Sequence, residues 1–157
     1  MSDILCVTNR SLCREDFLIR ISRIAEAGPA GIVLREKDLG EKEYGKLAAE
    51  VMRLCKAYGV RCILHSFIDV AVALRADSIH LPLPLLMGLK EDDRARFREI
   101  GASCHSVEEA VAAESQGCTY ITAGHIFDTD CKKGLPGRGI DFLKKVCGSV
   151  SIPVYSI

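Results

Sequence analysis

The segment Tyr120–Gly139, YITAGHIFDTDCKKGLPGRG, places one imidazole, two adjacent ammonium groups and several glycines in a single short stretch. An apolar run beginning at Tyr120 gives way to a polar loop, the pattern of a strand that feeds an anion-binding turn. Histidine has an ordinary pKa of about 6.5, so both of its protonation states are accessible near neutral pH, and His125 is the candidate acid/base. Lys132 and Lys133 offer positive charge to a phosphate or carboxylate, Gly134 lets backbone N–H groups approach it, and Thr129 adds a hydroxyl. A histidine bonded to its own loop and a solvated basic turn are the structural alternatives for the same residues.

Other strand ends carry further chemistry. Arg35 and Lys37 flank Glu36 in LREKD; a guanidinium there suits a substrate carboxylate, and an ion-paired rim is the alternative. His65 and Ser103 each close an apolar run and can shape a pocket. His80 and His105 read as structural, the latter beside a helix cap. Cys131 neighbours Lys132, but no Cys–His pairing supports covalent catalysis.

These residues need a scaffold, and the chain supplies a regular one. Short apolar runs at Ile4–Thr8, Gly31–Arg35, Arg61–His65, Ser78–Leu81, Gly101–His105, Tyr120–Phe127 and Pro153–Ile157 predict strands. Helices are predicted at Glu15–Glu26, Glu41–Tyr58, Phe67–Ala73, Glu91–Glu99, Val107–Ser115 and Ile140–Val146. Strand–helix alternation implies right-handed βαβ units and a parallel sheet. No GxGxxG follows the first strand, and polar residues gather at many strand ends, which favours a (β/α)8 TIM barrel over a doubly wound sheet. The expectation is a single but incomplete barrel domain over residues 1–157, a fragment of a longer protein or one whose open edge a second chain covers, as in a homo-oligomer.

The chain has 157 residues, 48% of them hydrophobic, enough for one substantial core. Lys plus Arg equals Asp plus Glu at 21 each, leaving no cationic excess for nucleic acid or an anionic membrane. Neither a transmembrane run nor a signal peptide is visible, so a cytoplasmic location is expected. The 8 cysteines are scattered without a CxxC pair and are expected to be reduced.

LREKD (Leu34–Asp38), IDVAVALRADSIHL (Ile68–Leu81), HSVEEA (His105–Ala110) and GHIFDTDCKKGLPGRG (Gly124–Gly139) together resemble the thiamine phosphate synthase/TenI superfamily over nearly the whole chain. The resemblance implies the barrel fold. The superfamily's synthases join a pyrimidine pyrophosphate to a thiazole phosphate and bind Mg²⁺ through aspartates of N-D and G-Q-E-D motifs. At the corresponding positions here stand His65-Ser66 and Pro82-Leu83-Pro84-Leu85. The Gly124-His125 loop is similar to that of TenI. The expectation is therefore a thiazole tautomerase acting on a small phosphorylated thiazole, with His125 catalytic and neither metal nor organic cofactor. A thiamine phosphate synthase and a non-catalytic phosphate-ligand-binding protein are the alternatives.

Overall fold

A computed structural model of the chain describes residues 3–129 and 134–157. Its strands are β1 (Leu5–Val7), β2 (Gly31–Leu34), β3 (Cys62–His65), β4 (Ser78–Pro82), β5 (Glu99–Cys104), β6 (Tyr120–Ala123) and β7 (Val154–Ser156). Between them run α1 (Phe17–Glu26), α2 (Glu41–Ala57), α3 (Ile68–Ala73), α4 (Leu83–Met87), α5 (Glu91–Arg94), α6 (Val107–Ser115) and α7 (Gly139–Ser149). Contacts gather the chain into two compact units. One reaches to His80 and includes Asp92–Arg98; the other comprises Leu81–Glu91 and Glu99–Ile157.

In the first unit the strands pair in parallel and in chain order, with Cys6 opposite Ile32, Val33 opposite Ile63 and His65 opposite His80. Every residue of β2 is buried, as expected of a parallel strand covered on both faces. Helix α2 presents Tyr44, Ala48, Val51 and Cys55 as one buried stripe at helical spacing. It ends at Gly59, whose φ of +67° suits glycine, while Val60 N bonds back to Cys55 O at 2.9 Å in a Schellman-type close. Tyr44 does more than fill the core. Its hydroxyl donates to Leu34 O at 2.7 Å and accepts from His65 N at 2.9 Å, tying the C-terminal ends of β2 and β3 together. Its ring stacks on Phe67 at 4.2 Å.

In the second unit β5, β6 and β7 are again parallel, with Ser103 opposite Thr122 and Ala123 opposite Ser156. Ser106 caps α6 by accepting from Glu109 N at 3.1 Å, and Glu109 returns a carboxylate oxygen to His105 N at 2.5 Å. His105 Nδ1 lies 3.3 Å from the same carboxylate, so this histidine belongs to the cap. Gly101 is a close-approach glycine: a Cβ there would fall 2.1 Å from the Tyr120 ring.

The larger departures from the predicted elements are two shortened elements and one added helix. The helix expected over Glu91–Glu99 stops at Arg94; its charged run has no apolar stripe, and Arg98 N instead bonds Asp77 O at 2.9 Å as the chain extends. Helix α4 lies where no helix is predicted; Pro84 sits in its first turn, where a missing N–H costs nothing, and Leu86 is buried. Strand β6 ends at Ala123, short of Phe127. The carbonyls of His125 and Ile126 accept instead from Arg138 N at 3.0 Å and Gly139 N at 2.9 Å, so the chain pairs with its own returning loop.

Candidate functional site

At the C-terminal end of β2 the sequence alternates charges, and the fold sorts them. Glu36 is 3% exposed; it accepts from Thr8 Oγ1 at 2.6 Å and from Arg10 N at 2.9 Å. Arg10 Nε lies 3.9 Å from the same carboxylate, and the Arg10 guanidinium pairs with Asp38. Thr8 Oγ1 in turn accepts from Arg35 N at 2.9 Å. Arg10 thus occupies both acids of LREKD, and Arg35 and Lys37 have no ion pair with any described residue. The ion-paired rim exists, but Arg10 forms it.

Beside these cations lies a cavity of about 300 Å³ lined by Glu36, Lys37, His65, Ser66 and Phe67. His65 is 6% exposed, with Nδ1 2.7 Å from Ser66 Oγ and its ring stacked on His80 at 5.8 Å. Burial, followed by the charges of His80, Arg35 and Lys37, pulls the His65 pKa down to about 3. Burial alone takes His80 down to about 4. Both rings are neutral near pH 7. So acidic an imidazolium makes His65 a poor general base, and its part is that of a neutral hydrogen-bonding wall. Ser66 sits at φ +68°, a left-handed conformation uncommon for serine, at the cavity edge.

The second unit holds the histidine loop. His125 is 8% exposed, and its Nε2 lies 3.1 Å from Leu135 O. A carbonyl only accepts, so Nε2 carries the hydrogen, and in the neutral ring Nδ1 presents a lone pair. That Nδ1 is buried and has no hydrogen-bond partner among the described residues. Ser103, half-buried, accepts from Thr122 Oγ1 at 3.5 Å. Thr129 and Gly134 are exposed on the loop, and Gly134 has a φ of +83°. Lys132 and Lys133 lie outside the described residues.

Gly137 closes this loop. Its N–H donates to Asp128 Oδ1 at 2.7 Å, and a Cβ at this position would fall 2.6 Å from Ile126 O and 2.7 Å from the Phe127 carbonyl carbon. Backbone cannot yield as a side chain does. Gly137→Ala is expected to displace the His125 loop and to cost about 1–3 kcal/mol in urea unfolding. A variant as stable as the parent, with unchanged exchange of the Arg138 amide, would show that the loop tolerates a methyl group.

Of the predicted residues, Arg35, Lys37 and His65 come together at the ends of β2 and β3, and Ser103 and His125 belong to the second unit. Sequence reasoning missed Thr8 and Glu36 as the brace that leaves Arg35 and Lys37 free. The signal was a threonine ending the first strand and an acid set between two cations. The same residues bear on the Mg²⁺ that the resemblance implies for the superfamily's synthases. His65 and Ser66 are bonded to each other, Glu36 and Asp38 are held by Arg10, and Pro82–Leu85 offers no side-chain oxygen. No grouping of three His, Cys, Asp or Glu side chains among the described residues suits a metal ion. These residues do not fit the metal.

Parallel strands in chain order, joined by helices, with cations and hydroxyls at their C-terminal ends, define an α/β protein of the (β/α)8 type with seven strands among the described residues. The family described as thiamine monophosphate synthase matches residues 4–157, and the chain belongs to it. An Aquifex aeolicus relative is 36% identical over 96% of this chain and 81% of that protein. The thiamine-phosphate synthase of Fusobacterium nucleatum is 34% identical over 98% of the chain and 76% of its own length. That of Clostridium acetobutylicum is 31% identical, covering 96% and 72%. Among solved structures, a thiamine phosphate pyrophosphorylase from Pyrococcus furiosus superposes with a TM-score of 0.83 at 28% identity, over 99% of this chain and 74% of that one. These names overturn the tautomerase expectation and the special closeness to TenI. The His125 loop that suggested TenI is one segment, whereas the similarity to synthases runs along the whole chain. No helix among the described residues is long and apolar enough to cross a membrane.

Proposed function

We propose that this chain carries out the reaction for which its relatives are named, joining a pyrimidine pyrophosphate to a thiazole phosphate with release of pyrophosphate, in the cytoplasm. The observation that carries this reading is the pair of cations, Arg35 and Lys37, without acidic partners among the described residues and close enough to the cavity at His65 for their charge to depress that ring. A leaving pyrophosphate develops negative charge, and positioned cations stabilise it more in the transition state than in the substrate. His65 and Ser66 form the polar wall of that cavity. In the loop, His125 Nδ1 accepts a hydrogen bond from substrate, and Ser103, Thr129, Gly134, Lys132 and Lys133 serve the phosphorylated thiazole.

The test is incubation of the purified chain with both substrates, quantifying thiamine phosphate and pyrophosphate. Equimolar products are expected. Arg35→Ala should lower kcat/KM by about 10- to 100-fold, the scale of one charge-assisted contact of roughly 1.5–3 kcal/mol. Folded chain that yields no thiamine phosphate would refute the reading.

A further inference from the structure

We propose that this chain binds pyrophosphate without a divalent cation, the anion's charge being met by Arg35 and Lys37. The choice of anion rests on the synthase reading; the metal independence rests on the side chains. Mg²⁺ takes oxygen ligands in near-octahedral geometry and is held by one or two carboxylates together with substrate phosphates. Glu36, the carboxylate that lines the cavity, and Asp38 beside it are both already committed. Glu36 is buried against Thr8 and the Arg10 backbone, and releasing it would leave those donors unpaired. Asp38 is paired with the Arg10 guanidinium. Where the resemblance places synthase aspartates, this chain has Ser66, its hydroxyl bonded to His65 Nδ1 at 2.7 Å, and the Pro82–Leu85 segment.

The cations show the opposite condition. Arg35 is half-buried, anchored through its backbone N to Thr8 Oγ1 at 2.9 Å, and its guanidinium has no partner among the described residues. Lys37 lines the cavity directly. A planar guanidinium and a mobile ammonium suit bidentate and point-charge contacts to phosphate oxygens. Mg²⁺ in solution would mask the charge these groups recognise, so it should compete with them for pyrophosphate.

Titration calorimetry of the full chain with inorganic pyrophosphate, in EDTA and then in excess Mg²⁺, tests this directly. Binding is expected in EDTA, with Mg²⁺ leaving the affinity unchanged or weaker, and Arg35→Ala and Lys37→Ala each weakening it about tenfold. Neither side chain supports the fold, so circular dichroism of both variants should match the parent. Tightening by Mg²⁺ of about tenfold or more, or no binding in EDTA, would overturn the proposal. Binding in EDTA that both variants leave intact would also overturn it, since other residues would then hold the anion. The synthase reading fails separately: metal-free binding with no thiamine phosphate formed leaves this inference standing.

Discussion

Replacing Glu36 by alanine is expected to lower the unfolding free energy by about 2–4 kcal/mol, the cost of leaving two donors without their buried acceptor. The carboxylate is 3% exposed and receives the Thr8 hydroxyl at 2.6 Å and Arg10 N at 2.9 Å. Alanine removes the acceptor of both donors and opens a cavity. It also frees Thr8, whose Oγ1 accepts from Arg35 N at 2.9 Å, so the backbone that presents Arg35 loosens too. For a chain of this size each kcal/mol shifts the melting temperature by roughly 2–4 °C, so a fall of about 10 °C is expected. Asp38→Ala is the control: its partner is the same Arg10, but its side chain is 64% exposed, and an exposed pair contributes at most about 1 kcal/mol. Urea unfolding of the two variants side by side decides the matter. A Glu36→Ala loss no larger than that of Asp38→Ala would show that the brace is dispensable.

The contrast between these neighbouring acids shows what sequence conveys here and what it withholds. Apolar periodicity located the seven strands, because a strand buried on both faces and a helix with one buried stripe leave regular marks; β2 and α2 are the clearest cases. Boundaries set by local pairing left weaker marks. The end of β6 depends on Arg138 and Gly139 returning to bond His125 and Ile126, a contact that no periodicity encodes. In the site, residue types at strand ends picked out Arg35, Lys37, His65 and His125. Which cation would take which acid depended on Arg10, 26 residues before Glu36, reaching across from the end of β1. Function went astray for a related reason. One distinctive loop carrying His125 outweighed a weaker similarity spread along the whole chain, and the spread similarity bears on the family's reaction.

Acidification should destabilise the fold steeply through the stacked histidines. His65 and His80 have folded-state pKa values near 3 and 4, both depressed from about 6.5, so each is neutral when folded and takes up a proton on unfolding below about pH 6.5. The unfolded state then binds more protons, and stability must fall as pH falls. The contribution is fully present above about pH 6.5 and is lost as the pH drops through the window down to about 4. Each imidazole contributes a slope approaching about 1.4 kcal/mol per pH unit, so the pair removes roughly 4 kcal/mol between about pH 7.5 and 5. The groups facing His65 act in the same direction. His80 stacks on it at 5.8 Å, and the charges of Arg35 and Lys37 oppose its protonation. Urea midpoints across that range measure the slope. His65→Gln and His80→Gln should each remove about half of it, whatever they cost at neutral pH, and the double variant should lose it. A parent protein whose stability is flat between about pH 7.5 and 5 would show that both rings take up a proton as readily folded as unfolded; bound phosphate near Arg35 and Lys37 should make the slope shallower, because neutralising those cations raises the His65 pKa.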